Sequence, residues 1–215
     1  MPELTIVEKI FIWAIPVLFA ITVHEVAHGW VAGQLGDPTA KAAGRLTLNP
    51  VKHIDPLGTV VLPLLLLYVG NFIFGWAKPV PVTWKNLSHP RRDMALVALA
   101  GPAANLLMML IWAMLAKLVL IFPGDVVWGM NLISYMCSAG IIINIVLMVL
   151  NLLPILPLDG GRVFSALLPV SWARAYSHLE PYGLIILVVL LVTGVLDKVL
   201  RPIIIGAQMI VYRLL

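Results

Sequence analysis

Long apolar runs separated by short polar loops dominate this chain. A membrane helix needs about 20 apolar residues, each rising about 1.5 Å. Residues 9–34, 94–122 and 128–158 have that length. Residues 57–74 form a shorter run interrupted by Pro63, Gly70 and Asn71, and residues 183–196 are short for a full crossing. Residues 203–215 include Gln208 and Arg213, so this last piece either spans weakly or lies along the interface. The pattern predicts an all-α polytopic membrane protein with about five to six membrane segments, one of them broken or re-entrant.

The loops set the orientation. Loop 35–56 carries Lys41, Arg45 and Lys52, loop 75–93 carries Lys78, Lys85, Arg91 and Arg92, and segment 159–180 carries Arg162 and Arg174. The loop Phe122–Trp128 has Pro123, Gly124 and Asp125 but no Lys or Arg, and is therefore predicted to be external. Run 94–122 then leads outward and run 128–158 returns. Loops 35–56 and 75–93 fall on the same, cytoplasmic side, so run 57–74 cannot be a single crossing. Irregular backbone at membrane depth has to be buried in protein or line a wet cavity.

Composition sharpens this reading. Of 215 residues, 61% are hydrophobic and 11% charged, against about 25% charged in an ordinary soluble domain. Together with a mean hydropathy of +1.03, this excludes a cytosolic globular protein. The net charge of +4 comes from residues between the apolar runs, which is loop asymmetry rather than a nucleic-acid footprint. The single cysteine, Cys137, excludes an intrachain disulfide and a four-cysteine zinc site. Glu3 and Glu8 spoil a basic leader and no small-residue cleavage site follows, so the first run is predicted to be a retained helix. No segment reads as an appended soluble domain. The expectation is one membrane-embedded domain over 1–215, with a core of about 8–170 and C-terminal helices at about 181–215.

The first run ends on His24-Glu25-Val26-Ala27-His28. Ionisable residues in a membrane helix cost roughly 2.5 kcal/mol or more each when charged at the centre, so something must compensate. His24 and His28 are i and i+4, so both rings leave one helix face about one turn apart. Two imidazoles so placed can take two corners of a zinc tetrahedron, with Glu25 beside them to accept a proton from water. A third ligand is still required. His53, His89 and His178 are candidates, as are Asp37, Asp55, Asp93, Asp125, Asp159, Glu180 and Asp197. Asp159 stands out by its setting. Pro154 and Pro157 deprive the carbonyls of Leu150 and Leu153 of helical donors, and Gly160 and Gly161 permit close backbone approach. A helix end with a glycine stop would look the same.

Three further features surround these residues. Ala100-Gly101-Pro102-Ala103-Ala104-Asn105 offers tight helix contact, with Asn105 as a structural hydrogen-bonding group or part of a site. Gly29 and Gly33 suggest a packing seam. The stretch Arg45–Pro56 alternates, contains two prolines and is too polar to span, which suits a small β-hairpin near the site or a plain loop. His53 within it reads as a loop or supporting residue.

Together, H-E-x-x-H in a membrane helix, A-G-P-x-x-N, and Asn151-x-x-Pro154-x-x-Pro157-Leu-Asp159-Gly-Gly resemble the site-2 protease family of intramembrane zinc metalloproteases. Gly44-Arg-Leu-Thr-Leu-Asn-Pro and Phe74-Gly-Trp-Ala-Lys-Pro-Val-Pro-Val82 resemble its small prokaryotic branch, and the resemblance covers about residues 10–170. It implies one Zn2+ per chain on His24, His28 and Asp159, Glu25 as catalytic base, and a substrate-positioning Asn151. It further implies transmembrane protein substrates in a lipid bilayer, an inner-membrane location with the site toward the cytoplasm, and no nucleic-acid partner. Two rival readings use the same residues: a membrane metal transporter, which would need more intramembrane ligands along a path, and an inactive helix-binding scaffold, which would not need Glu25.

Overall fold

The computed structural model describes residues 4–61, 65, 75–121 and 128–214. Helix α1 spans Ile6–Gln34. Thr5 caps it reciprocally: its hydroxyl accepts the Glu8 N–H while the Glu8 carboxylate accepts the Thr5 N–H. The short α2 is Thr39–Ala42, α3 is Pro90–Ile121 and α4 is Trp128–Asn151. Then follow α5 (Asp159–Leu167), α6 (Val170–Ser177), α7 (Gly183–Val192) and α8 (Val195–Leu214). Gly194, with φ +72°, makes the left-handed turn between α7 and α8.

Among the described residues, four stretches are long and apolar enough to cross a membrane: Ile6–Gln34, Pro90–Val119, Asn131–Asn151 and Val170–Val192. Their outward faces carry Phe11, Phe19, Trp30, Leu107, Met114 and Val192, all exposed. Water does not tolerate so continuous an apolar surface, whereas lipid requires it. The chain is therefore an all-helical multi-pass membrane protein.

Helices α1, α3 and α4 pack on one another, and α5 packs on α3. Gly140 of α4 lies so close to the Trp112 ring of α3 that a Cβ there would overlap it. Met109 and Ala113 of α3 join Ile141, Ile145 and Val149 of α4 in the main core, which Leu196, Leu200 and Val211 of α8 close. The segment 203–215 is thus, up to residue 214, the second half of an amphipathic helix lying outside the four apolar spans. The fifth run also differs from expectation. Its span begins at Val170 rather than residue 183, because α6, a three-residue turn at Glu180–Tyr182 and α7 follow without an extended break.

The hairpin expected at 45–56 is not formed, and the described residues contain no strand. Residues 45–49 and 75–83 form neither helix nor strand, and a side chain rather than a ladder links them: the Arg45 guanidinium donates to the Lys78 and Pro79 carbonyls, at 2.9 and 3.4 Å. Pro79 and Pro81 have no N–H for a ladder. Asn49 caps a tight turn at Pro50–His53, and Asp55 opens a wider turn at Pro56–Val61.

The interior of run 57–74 lies mostly outside the described residues, as does the loop at 122–127. The flanks of the run are joined. The Trp76 N–H donates to the Gly58 carbonyl at 3.1 Å, the Lys78 N–H to the His53 carbonyl at 2.9 Å, and the Thr59 hydroxyl to the Trp76 carbonyl at 2.9 Å. The ends of α1 and α3 meet as well, the Ser88 N–H donating to the Leu35 carbonyl at 3.1 Å. Loops 35–56 and 75–89 therefore gather at one end of the bundle.

Candidate metal centre

His24 and His28 leave α1 roughly 15 and 9 Å from its C-terminal end, judged by a rise of about 1.5 Å per residue. Their rings are nearly perpendicular, at 85°, with centroids 4.7 Å apart. Opposite them, α4 ends at Asn151 and a turn carries the chain into α5, whose first residue is Asp159. The two prolines open the helix as expected, and the carbonyls they deprive find turn partners: Leu150 accepts from Leu153 and Leu153 from Ile155. Gly160 and Gly161 press against the backbone of that turn; a Cβ on Gly160 would overlap the Leu152 carbonyl, and one on Gly161 would lie 2.6 Å from the Ile155 carbonyl carbon. The Arg91 guanidinium, from α3, donates to the carbonyls of Ala166 and Leu168 and so ties down the far end of α5.

The result is a compact donor set. His24 Nε2 and His28 Nε2 lie 3.1 Å apart. Asp159 Oδ2 is 3.2 Å from the first and Oδ1 is 3.4 Å from the second. Each ring is fixed from behind: the His28 Nδ1–H donates to the Val97 carbonyl at 2.7 Å, and His24 Nδ1 meets Asn105 Oδ1 at 2.6 Å. With its Nδ1 proton spent on a carbonyl, the His28 ring turns Nε2 toward His24 and Asp159. Nitrogens and oxygens about 2.0–2.2 Å from a tetrahedral zinc stand roughly 3.3–3.5 Å from one another. The observed separations of 3.1, 3.2 and 3.4 Å suit that ion, and all three donors lie within 4.8 Å of each other.

Glu25, on the next α1 position, turns to a different neighbour. Its Oε2 accepts the Val80 N–H at 2.8 Å, the single backbone donor between Pro79 and Pro81. Val80 is buried and, with Leu46 and Ala40, fills the space over Gly29, where a Cβ would come within 2.9 Å of all three. Gly29 thus serves contact with the loops rather than a helix seam, and Gly33 has nothing within 4 Å of a would-be Cβ. Asn151 stands at the end of α4 with its amide nitrogen donating to the Leu147 carbonyl at 2.9 Å.

Most of the other candidate ligands are engaged elsewhere. His53 is buried with Nε2 on the Thr47 carbonyl at 2.9 Å, inside the 45–53 loop. Asp37 holds Thr39, Thr83 and Asn86, Asp55 caps the turn at Leu57, and Asp93 caps α3 at His89. Glu180 pairs with Arg162 at 3.0 Å, and His178 folds onto the Arg174 carbonyl. Asp125 lies outside the described residues.

Three contributors escape sequence reasoning. Val97 acts through its carbonyl, which no residue type encodes. Gly101 faces the histidines themselves: a Cβ there would lie 2.5 Å from His24 Cε1 and His28 Nε2. Asn144, fully buried in α4, hydrogen-bonds to Asn105. Its signal was a lone amide in an apolar run, the same signal that singles out Asn105.

A helical membrane bundle that brings two histidines of one helix and an aspartate from a second within 4.8 Å of one another, with a glutamate next to the first histidine in sequence, has the make-up of a membrane-embedded zinc peptidase. The comparisons with known proteins agree. The sequence profile described as peptidase family M50 matches residues 114–194. The chain is 40% identical over 189 residues to "Putative zinc metalloprotease YwhC" of Bacillus subtilis (strain 168), covering 87% of this chain and 83% of that protein. It is 32% identical over 183 residues to "Putative zinc metalloprotease Rip2" of Mycolicibacterium smegmatis, covering 84% of this chain and 66% of that protein. No solved structure gives a significant match. The chain belongs to peptidase family M50, the site-2 proteases, and is a zinc metalloprotease.

Proposed function

We propose that this protease hydrolyses peptide bonds of membrane-anchored proteins within or near their transmembrane segment. The observation that carries the reading is the convergence of His24, His28 and Asp159 below the end of α1 where the loops gather. These three residues would hold one zinc per chain, which supplies a Lewis acid that polarises the scissile carbonyl and lowers the pKa of water toward about 7. Glu25 takes the proton of the attacking water and returns it to the leaving amine as the C–N bond breaks. The Val80 N–H holds one oxygen of its carboxylate. Asn151, whose amide nitrogen is spent on Leu147, presents its carbonyl oxygen to a backbone N–H of the extended substrate.

The whole chain acts as one membrane-embedded unit in the prokaryotic inner membrane, with the loop end of the bundle cytoplasmic. Two features support that orientation: the Lys and Arg content of loops 35–56 and 75–93, and the hydrogen bonds that join both flanks of run 57–74 at that end. The joined flanks support a re-entrant reading of the run, since a full crossing would part its ends by about 30 Å.

Cleavage of a tagged single-span protein by purified enzyme in detergent tests the reading. Glu25→Gln should keep zinc and lower the rate by about 10²- to 10⁴-fold, the usual loss for a general base. A chelator should abolish cleavage. Asn151→Leu should keep zinc and impair cleavage. Near-wild-type turnover by Glu25→Gln would remove that residue from the chemistry, and a substrate cut only in its soluble part would overturn the membrane-segment specificity.

A further inference from the structure

A chain of two buried amides crosses the bundle behind His24. Asn144 Nδ2, in α4, lies 2.8 Å from the Gly140 carbonyl. Asn144 Oδ1 lies 2.9 Å from Asn105 Nδ2, in α3. That same Nδ2 is 3.3 Å from the Ala20 carbonyl of α1, and Asn105 Oδ1 is 2.6 Å from His24 Nδ1. Both asparagines are fully buried.

An amide side chain can face a neighbour with either its oxygen or its nitrogen, and a neutral imidazole can carry its proton on either nitrogen. Here neither choice is open. A backbone carbonyl only accepts. The Gly140 carbonyl therefore demands the Asn144 NH2, which leaves Asn144 Oδ1 facing Asn105. That oxygen, and independently the Ala20 carbonyl, demand the Asn105 NH2. Asn105 Oδ1 is left facing His24, so His24 must donate from Nδ1. Its Nε2 is then the ring nitrogen left for the metal set, 3.1 Å from His28 Nε2 and 3.2 Å from Asp159. Reversing any one amide would place two like groups face to face in a dry interior.

We infer that Asn144 is a positioning residue of the metal centre: through Asn105 it holds a His24 proton on Nδ1, so that Nε2, the nitrogen facing His28 and Asp159, is the one that can bind metal. The direction of the relay is written by two helix carbonyls that cannot change role. The inference rests on His24 being a ligand, as proposed above, but its first test needs no metal and no cleavage.

The chain has five histidines, so selective ¹⁵N labelling gives a tractable imidazole spectrum. The full chain, stripped of metal by a chelator in detergent micelles, should show His24 protonated on Nδ1. A wild-type His24 with Nδ1 unprotonated overturns the inference whatever the variants do. In Asn144→Leu, similar in size but unable to hydrogen-bond, a form with Nδ1 unprotonated should become populated. Zinc affinity, read by competition with a chromophoric chelator, should fall about 10- to 100-fold, the usual loss when a partner behind a ligand is removed. Asn144→Ser can still donate to Gly140 and accept from Asn105, and should restore the wild-type tautomer and much of the affinity. A folded Asn144→Leu with unchanged tautomer and zinc affinity would show that Asn144 serves packing alone. Loss of zinc from His24→Ala addresses the ligand assignment separately, so the two ideas can fail apart.

Discussion

Gly101 shows how one residue without a side chain sets the metal centre. Its Cα faces both imidazoles, and a methyl group would come within 2.6 Å of His24 Nε2 and 2.5 Å of His28 Nε2. Rings held from behind by Val97 and Asn105 cannot retreat without losing those bonds. Gly101→Ala should therefore cost about 1–3 kcal/mol of overpacking and displace the rings. The expected outcome is reduced zinc per chain by metal analysis, with a lowered melting temperature. Gly33→Ala is the counterpart, on the same helix as the histidines but with nothing within 4 Å. Helical alanine is favoured over glycine by roughly 0.5–1 kcal/mol, so this variant should melt no lower than wild type and keep its zinc. A Gly101→Ala protein with full zinc content would mean the rings have freedom that their hydrogen bonds do not suggest.

At the scale of elements, Asp37 is the joint between the end of α1 and the segment that leads into α3. It is fully buried and accepts from the N–H groups of Thr39 and Thr83, the Thr39 hydroxyl and the Asn86 amide. Burial alone would raise its pKa, but the hydrogen bonds from Thr39, Asn86 and Thr83 outweigh it and hold the carboxyl below its ordinary value. The sign follows from linkage. A depressed folded pKa contributes stability that is fully present above the unfolded value, about 3.9, and is lost as pH falls through the folded value. Asp37→Asn should therefore melt below wild type at pH 7, and the gap should narrow as pH drops below about 4. A gap that stays constant between pH 7 and pH 3 would mean that the charge of Asp37 contributes nothing to the joint.

For the whole molecule, the arrangement of loops makes a topological statement that labelling can check. Lys52 and Lys85 belong to the two loops that meet at one end of the bundle. Single cysteines at these positions, in a background lacking Cys137, should both resist an impermeant thiol reagent added to intact cells. A cysteine at Gly124 should react. Labelling at position 85 but not at 52 would mean that run 57–74 crosses the membrane completely.

Much of this was legible in the residue pattern. Apolar length marks the spans at 6–34, 90–119 and 131–151, because a polar group exposed to lipid is costly wherever the fold puts it. The i,i+4 histidines specify a pair on one face, because helix periodicity is local. Apolar pattern could not place the start of the last span at Val170, since Arg174 and Glu180 interrupt a helical stretch with charge. Nor could alternation alone make a hairpin of 45–56, because a strand needs a partner with free N–H groups and the neighbouring segment offers prolines. Among ten candidate side chains the setting and the family resemblance pointed to Asp159, but only tertiary structure brings it to the histidines, faces Gly101 toward them and lets Asn144 reach His24 through Asn105. Those are distances between helices far apart in sequence. They are set by close packing of α1, α3, α4 and α5, and no local rule contains them.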